Sequence, residues 1–195
     1  ILNGKISDIG TPLTSNIKDS YRAGIELSLA AQLLPSLRWE GNATLSSNKI
    51  RNFVEYVDTY DADWNELPQT ANELGTTDIA FSPNTIINSL FDFRLKNAFA
   101  SFSSVYVGRQ YLDNTSGRLR SLDPYFVNNL RVGYTFYPSF MKELTVDFNV
   151  NNLFNEQYET NCWVWSYLLG GERNQDCGYF TQAGIHVMGR VTFRF

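Results

Sequence analysis

The final 18 residues, 178–195, carry an alternation of apolar and polar side chains that most constrains the fold of this chain. Successive side chains of a β-strand point to opposite faces, so this pattern gives a strand with one apolar and one polar face. The segment exceeds the roughly 5–6 residues of an ordinary strand and satisfies the about 9–11 tilted residues that a bilayer requires. It predicts a membrane-spanning strand that ends on an aromatic residue. The apolar positions are Ile185, Val187, Val191, Phe193 and Phe195, and the polar positions include Gln182, His186, Arg190, Thr192 and Arg194.

The same two-residue period recurs in earlier segments. It is present in residues 21–29, 37–45, 79–95, 126–136 and 143–151, whereas in 99–111 small residues occupy both faces. The clearest case sets Leu144, Val146, Phe148 and Val150 against Glu143, Thr145, Asp147, Asn149 and Asn151. No segment shows a convincing helical period. The chain is therefore predicted to be all-β, with seven long strands.

Short and long connections alternate between these segments. The short ones fall at 32–36, 96–97 and 138–142, and the long ones at 51–77, 113–122 and 155–178. A transmembrane barrel has tight periplasmic turns and long outer loops, so the long loops are predicted to lie outside the cell. Ile1 and Leu2 look like the end of an eighth strand. Eight strands can close a small barrel, but so short a stub cannot form a spanning wall, which favours part of a larger barrel.

Composition narrows the classes of protein that fit. A mean hydropathy of -0.27 and the lack of an apolar run near 18 residues exclude a helical membrane protein. The net charge of -4 argues against a nucleic-acid partner, because phosphate binding needs clustered lysine and arginine. A transmembrane barrel remains compatible with this low mean hydropathy, because its apolar residues alternate with polar ones along each strand. A soluble, lipocalin-like binder also alternates, with its apolar face turned inward to a ligand.

The two cysteines, Cys162 and Cys177, flank one predicted loop. A single pair of this kind suits a disulfide in an oxidising compartment. Closing a loop of that length stabilises a fold by roughly 3 kcal/mol. The alternative is two unpaired thiols.

Four short motifs resemble TonB-dependent outer-membrane receptors. Residues 150–158, with Asn152-Leu153-Phe154-Asn155 followed by Tyr158, are similar to the penultimate-strand motif of that family. The ending at residues 190–195 resembles the family's C-terminus, where a terminal Phe helps the barrel-assembly machinery recognise its substrate. Residues 20–26 and 106–114 are similar to Bacteroidetes members of the iron-complex and cobalamin receptor subgroup.

The resemblance implies a 22-stranded barrel in the bacterial outer membrane, of which residues 1–195 are the C-terminal part. It also implies a plug domain that lies outside this chain and contacts the TonB complex. The expected function is transport of an iron complex, a siderophore or haem, with no enzymatic chemistry. Two alternatives are cobalamin uptake and a small self-contained barrel that acts as an anchor or adhesin. The expected partners are membrane lipid, the TonB complex and a metal chelate as cargo.

Aromatic and basic residues are the candidates for binding this cargo. Trp163, Trp165 and Tyr167 lie between the two cysteines, where their rings can stack on a flat ligand. The alternative is that they pack against neighbouring loops or form an interfacial aromatic girdle. Arg109 and Arg131 suit an anionic chelate, although charge pairing within the lumen explains them equally simply.

Metal and catalytic sites are not expected. His186 is the only histidine. It is four residues from Arg190 and so shares the polar face of the strand, which indicates an ordinary polar residue of the lumen. Asp58, Asp61 and Asp63 offer oxygen ligands for calcium, but they lack a full ligand spacing. No metal, cofactor or catalytic residue is therefore predicted.

Overall fold

The computed structural model describes residues 1–7, 11–17 and 19–195, and most of these residues lie in β-strands. No helix among them is long and apolar enough to cross a membrane. A short 3-10 turn covers Arg118–Arg120. The strands are β1 (Leu2–Ile6), β2 (Pro12–Thr14), β3 (Ser20–Leu34), β4 (Leu37–Tyr60), β5 (Glu66–Asp78), β6 (Thr85–Leu95), β7 (Ala98–Val107), β8 (Gln110–Tyr111), β9 (Ser121–Leu122), β10 (Tyr125–Phe136), β11 (Glu143–Asn151), β12 (Glu159–Leu169), β13 (Glu172–Thr181) and β14 (His186–Arg194).

Seven long antiparallel strands form one wall in the order β3-β4-β6-β7-β10-β11-β14. The turns that join them at one end are short, as predicted. Within the described residues, the two edge strands β3 and β14 each pair with a single neighbour, so the sheet does not close on itself. The structure is therefore an open section of barrel wall and differs from the self-contained barrel that we considered.

The apolar face of this wall is uncovered. Ile25, Phe148 and Val191 expose 64%, 52% and 53% of their surface, although a water-soluble fold buries such side chains. The buried apolar residues of the described chain lie toward the outer ends of the strands or in the outer loops: Ile50, Phe53, Val57, Val107, Leu112, Leu122, Val127 and Cys162. This distribution confirms the alternation and places the apolar face against lipid rather than in a protein core.

Polar side chains bond across the opposite face, strand to strand. Asn88 donates to Asn42 at 2.8 Å between β6 and β4, and Thr135 bonds Thr145 at 2.9 Å between β10 and β11. The strongest cluster surrounds Asp147, whose buried carboxylate accepts from Arg131 and Arg190, each at 3.0 Å. Gly133 pairs with Asp147 and leaves room for the Phe99 ring, since a Cβ there would come within 2.2 Å of it.

Five segments differ from the sequence prediction. Residues 178–195 are two strands rather than one, because 182–185 turn away and Ile185 N–H bonds the Asn155 side chain at 3.0 Å. The segment predicted over 79–95 begins as a strand at Thr85, after Phe81 at φ 48° and Pro83. The stub at Ile1 and Leu2 belongs to β1, which pairs with β2 and packs on β4 instead of spanning. The segments predicted as loops over 51–77 and 155–178 are mostly hairpins.

Candidate functional site

The outer hairpins assemble into a second sheet beyond the spanning wall. The pairing of β4 with β6 ends at Leu45, yet β4 continues to Tyr60 and pairs there with β5. On its other side, β12 runs parallel to the tip of β4, with Tyr167 opposite Asp58 and Leu169 opposite Tyr60. The hairpin β12-β13 therefore reaches across the wall to join the hairpin β4-β5.

A small apolar core holds β12 and β13 on the loop at 108–124. Leu112, Leu122 and Cys162 are buried together, and Val164 and Cys177 pack against them. Both cysteines are free thiols in this structure, and a disulfide between them stays a prediction. Cys162 pairs with Tyr179 and Val164 with Cys177, so the two cysteines are diagonal neighbours. Diagonal positions lie about 7–8 Å apart, beyond the usual Cα separation of a disulfide.

A buried carboxylate joins three outer segments. Glu55 on β4 accepts from Arg120 at 2.8 Å and also from Arg173 on β13, and Arg120 bonds Asp113 at 2.7 Å. The side chains of Glu55 and Arg120 are only 8% and 9% exposed. Burial by itself raises the pKa of Glu55, but the hydrogen bonds from Arg173 and Arg120 outweigh it and hold that pKa below its ordinary value. Glu55 is therefore charged at neutral pH and fixes the hairpins to each other.

Docking of the β12-β13 hairpin should weaken when Glu55 loses its charge. A carboxyl whose pKa is lowered by folding stabilises the fold above its ordinary pKa and loses that contribution as the pH falls through the lowered value. We expect amides of residues 159–181 to exchange with solvent at least tenfold faster in Glu55→Gln at pH 7, a change of about 1.4 kcal/mol. In the unmodified protein the same protection should fall only below about pH 4.3.

The matched control for this prediction is Glu73→Gln, which removes an exposed carboxylate of β5. Exchange in 159–181 should not change in this variant. Equal exchange in the Glu55 and Glu73 variants would show that the buried cluster does not hold the hairpin.

A cavity of about 660 Å³ lies among these outer segments. Its aromatic lining consists of Phe53, Tyr56, Phe81, Trp163 and Trp165, and Arg22 and Arg120 supply positive charges. Of the residues predicted to bind cargo, Trp163 and Trp165 line the cavity and Tyr167 lies beside it. Arg109 is not among the lining residues, because it bonds Ser121 and Asp123, both at 2.7 Å.

Trp165 lines this cavity and belongs to a group of four rings that we call the outer aromatic cluster: Tyr60, Trp64, Trp165 and Tyr167. Trp165 and Tyr167 are stacked with centroids 4.4 Å apart, and Trp64 lies 5.5 Å from Tyr167. The turn that carries Trp64 is organised by Asp61, whose carboxylate accepts both backbone and side-chain N–H bonds from Asn65. These bonds hold the pKa of Asp61 below its ordinary value. Trp64 and Trp165 remain 53% and 39% exposed, so part of each ring is free to contact a ligand.

Two of the four rings were missing from the sequence prediction. Tyr60 and Trp64 lie in the segment predicted as a long loop over 51–77, and Glu55 and Arg120 were not singled out either. No apolar alternation marks this segment, because Glu55 shares a face of β4 with Phe53 and Val57, and the register shifts between Ile50 and Phe53. No pattern in the sequence indicates the parallel pairing of β12 with β4.

His186 and the aspartates that were considered as calcium ligands have ordinary polar contacts. His186 lies opposite Asn151 on the lumen face, and the two side chains bond at 3.1 Å. Asp58 accepts from Gln69 and Trp165, and Asp61 closes its own turn. Within the described residues, no group of three or more His, Cys, Asp or Glu side chains is placed to hold a metal ion.

Comparison with protein families identifies the barrel wall. Residues 2–153 match the family model described as TonB dependent receptor-like, beta-barrel. A comparison with curated proteins finds no matching sequence.

Two solved structures have a similar fold. The siderophore receptor PiuA from Acinetobacter baumannii aligns over 90% of this chain with a TM-score of 0.64 and 15% identity. The ferric-catecholate import receptor Fiu from E. coli K12 aligns over 100% of the chain with a TM-score of 0.59 and 16% identity. The aligned part is 22% of PiuA and 24% of Fiu, so this chain spans about a quarter of either receptor.

Proposed function

Because this chain belongs to the TonB-dependent receptor β-barrel family, we propose that it is the C-terminal wall of an outer-membrane receptor that imports an iron complex. The transport step draws its energy from the TonB complex through a plug segment outside these 195 residues. The wall contributes a lipid-facing surface, a polar lumen face and outer hairpins that capture cargo. It performs no covalent chemistry on that cargo.

The observation that carries this proposal is the 660 Å³ cavity with aromatic side chains at its rim. Cavities of about 300–1,000 Å³ suit small-molecule ligands, and aromatic rings supply large contact areas to them. PiuA and Fiu are described as receptors for iron complexes, which makes a ferric siderophore the first cargo to test. Haem and cobalamin are the next candidates, and the subgroup that the motifs resemble stays a prediction.

The proposal is tested by binding and uptake in the complete receptor. Cells that carry it as their sole receptor of this class should import radioactive iron supplied as a siderophore complex or haem. Trp165→Ala should weaken cargo binding about tenfold, because it removes ring contacts worth about 1.4 kcal/mol.

The matched control is Phe140→Ala, which removes a 76% exposed ring from the short turn at the opposite end of the wall. It should leave binding unchanged. Uptake of cobalamin without uptake of any iron complex would replace the proposed cargo with the alternative one, and uptake of neither would contradict transport.

A further inference from the structure

The tip of the hairpin β4-β5 is strongly acidic. Residues 58–66 hold four carboxylates and no lysine or arginine: Asp58, Asp61, Asp63 and Glu66. Within the described part of the chain, none of the four forms an ion pair, whereas Glu55, Asp78, Asp113 and Asp123 all do. Among the described residues, these four carboxylates therefore keep their charges without an ion-pair partner, and Asp58 lines the cavity.

The outer aromatic cluster lies directly against these carboxylates. Trp165 Nε1 donates to Asp58 Oδ2 at 3.1 Å, which ties one ring of the cluster to the acidic tip. The pKa of the Tyr60 hydroxyl is raised, first by burial and then by the negative charges of Asp58 and Glu66. Because the face of an aromatic ring also carries negative charge density, rings and carboxylates together attract a cation.

We propose that the outer aromatic cluster binds a positively charged organic group, an ammonium or guanidinium, on the incoming cargo. This inference rests on the proposed function. It gives the receptor a preference for cationic over anionic iron complexes. A nearby ring already accepts such a group, since Lys5 Nζ lies 5.6 Å from the Tyr56 ring centroid, two residues before Asp58.

The position of the cluster separates it from a lipid-facing aromatic girdle. Tyr60 is 10 residues beyond Ile50, where the pairing of β4 with the wall strand β3 ends. At about 3.3 Å per residue this is roughly 33 Å of strand, which carries the cluster beyond the wall and its interfacial region. The occupant is therefore a solute approaching from outside.

A matched series of ligands tests the charge preference on the complete purified receptor. One ferric trihydroxamate is used in three forms, with its terminal amine free, acetylated or succinylated, so that the iron centre is constant while the charge changes from positive to negative. Calorimetry should show the free-amine form binding at least tenfold tighter than the succinylated form. Tetramethylammonium, a cation without iron, should also bind, and its affinity should fall in Asp58→Asn and in Trp64→Ala but not in the control Glu73→Gln.

The outcomes separate this inference from the proposed function. Equal affinity for the three complexes, or no binding of tetramethylammonium, would overturn the cation site even if iron uptake proceeds. Tetramethylammonium binding that is lost in the Asp58 and Trp64 variants, together with no iron uptake, would uphold the cation site and contradict the proposed cargo. Two variants are used because Asp58 also bonds Gln69, whereas Trp64 lies in an exposed turn that tolerates substitution.

Discussion

Val146→Arg should destabilise the folded barrel by about 2–4 kcal/mol, the cost of a charged side chain at the lipid-facing midplane of a transmembrane strand. Val146 lies near the centre of β11, between Tyr134 of β10 and Val191 of β14. Both neighbours are exposed on the same apolar face, at 44% and 53%. An arginine there has no counter-charge and must reach through hydrocarbon to the interface. Urea unfolding of the complete receptor in lipid vesicles measures the loss.

The control for Val146 lies three residues along the same strand. Asn149 pairs with Arg131 and Met188 on the lumen face, where an added charge remains in polar surroundings. Asn149→Arg should therefore change the unfolding free energy by less than 1 kcal/mol, in line with the usual effect of substitutions outside packed sites. Similar losses from both substitutions would contradict the facing of β11.

Asp147→Ala should cost about 2–3 kcal/mol, for a different reason. The Asp147 side chain has no solvent exposure and is the shared partner of Arg131 and Arg190 on the flanking strands. Breaking a fully buried ion pair costs roughly 3–5 kcal/mol. The effect here is smaller because the two arginine side chains are 39% and 57% exposed and regain water. The same unfolding experiment gives this value.

Thr145→Ala is the comparison for Asp147, because Thr145 lies on the same face of β11 and its hydroxyl bonds only Thr135. Loss of one neutral hydrogen bond costs about 0.5–1.5 kcal/mol. Asp147→Asn keeps the shape of the side chain without its charge and should fall between the two. If Asp147→Ala costs no more than Thr145→Ala, the charge cluster does not join the three strands.

The spanning wall was predictable because the polarity of each side chain in a membrane strand reflects whether it faces lipid or the lumen. In β11 every even position is apolar and every odd position is polar, so one segment fixes both the strand and its facing. The short connection at Lys96 and Asn97 then sets the register of β6 against β7. These features depend only on residues close together in the chain, so they can be predicted from a single sequence.

The outer assembly was harder to predict because it depends on contacts between distant segments. Glu55 meets Arg173 across 118 residues of chain, and Asp58 meets Trp165 across 107. The aromatic residues of β12 were singled out in the sequence as candidates for binding cargo. Their partners Tyr60 and Trp64 were not, because they lie in a stretch rich in carboxylates. This stretch was predicted as part of a long loop, because the apolar alternation of β4 does not continue through residues 53–60.

Lipid contact along β11 is the most direct test of the central claim that this chain is a membrane barrel wall. Single nitroxide labels would be placed at positions 144 to 151, leaving out 147, in the complete receptor with Cys162 and Cys177 replaced by alanine. Power-saturation measurements in vesicles then report the accessibility of each label to oxygen, which concentrates in lipid. We expect high oxygen accessibility at 144, 146, 148 and 150 and low values at 145, 149 and 151. Uniformly low accessibility across the strand, as in the interior of a water-soluble protein, would contradict the account.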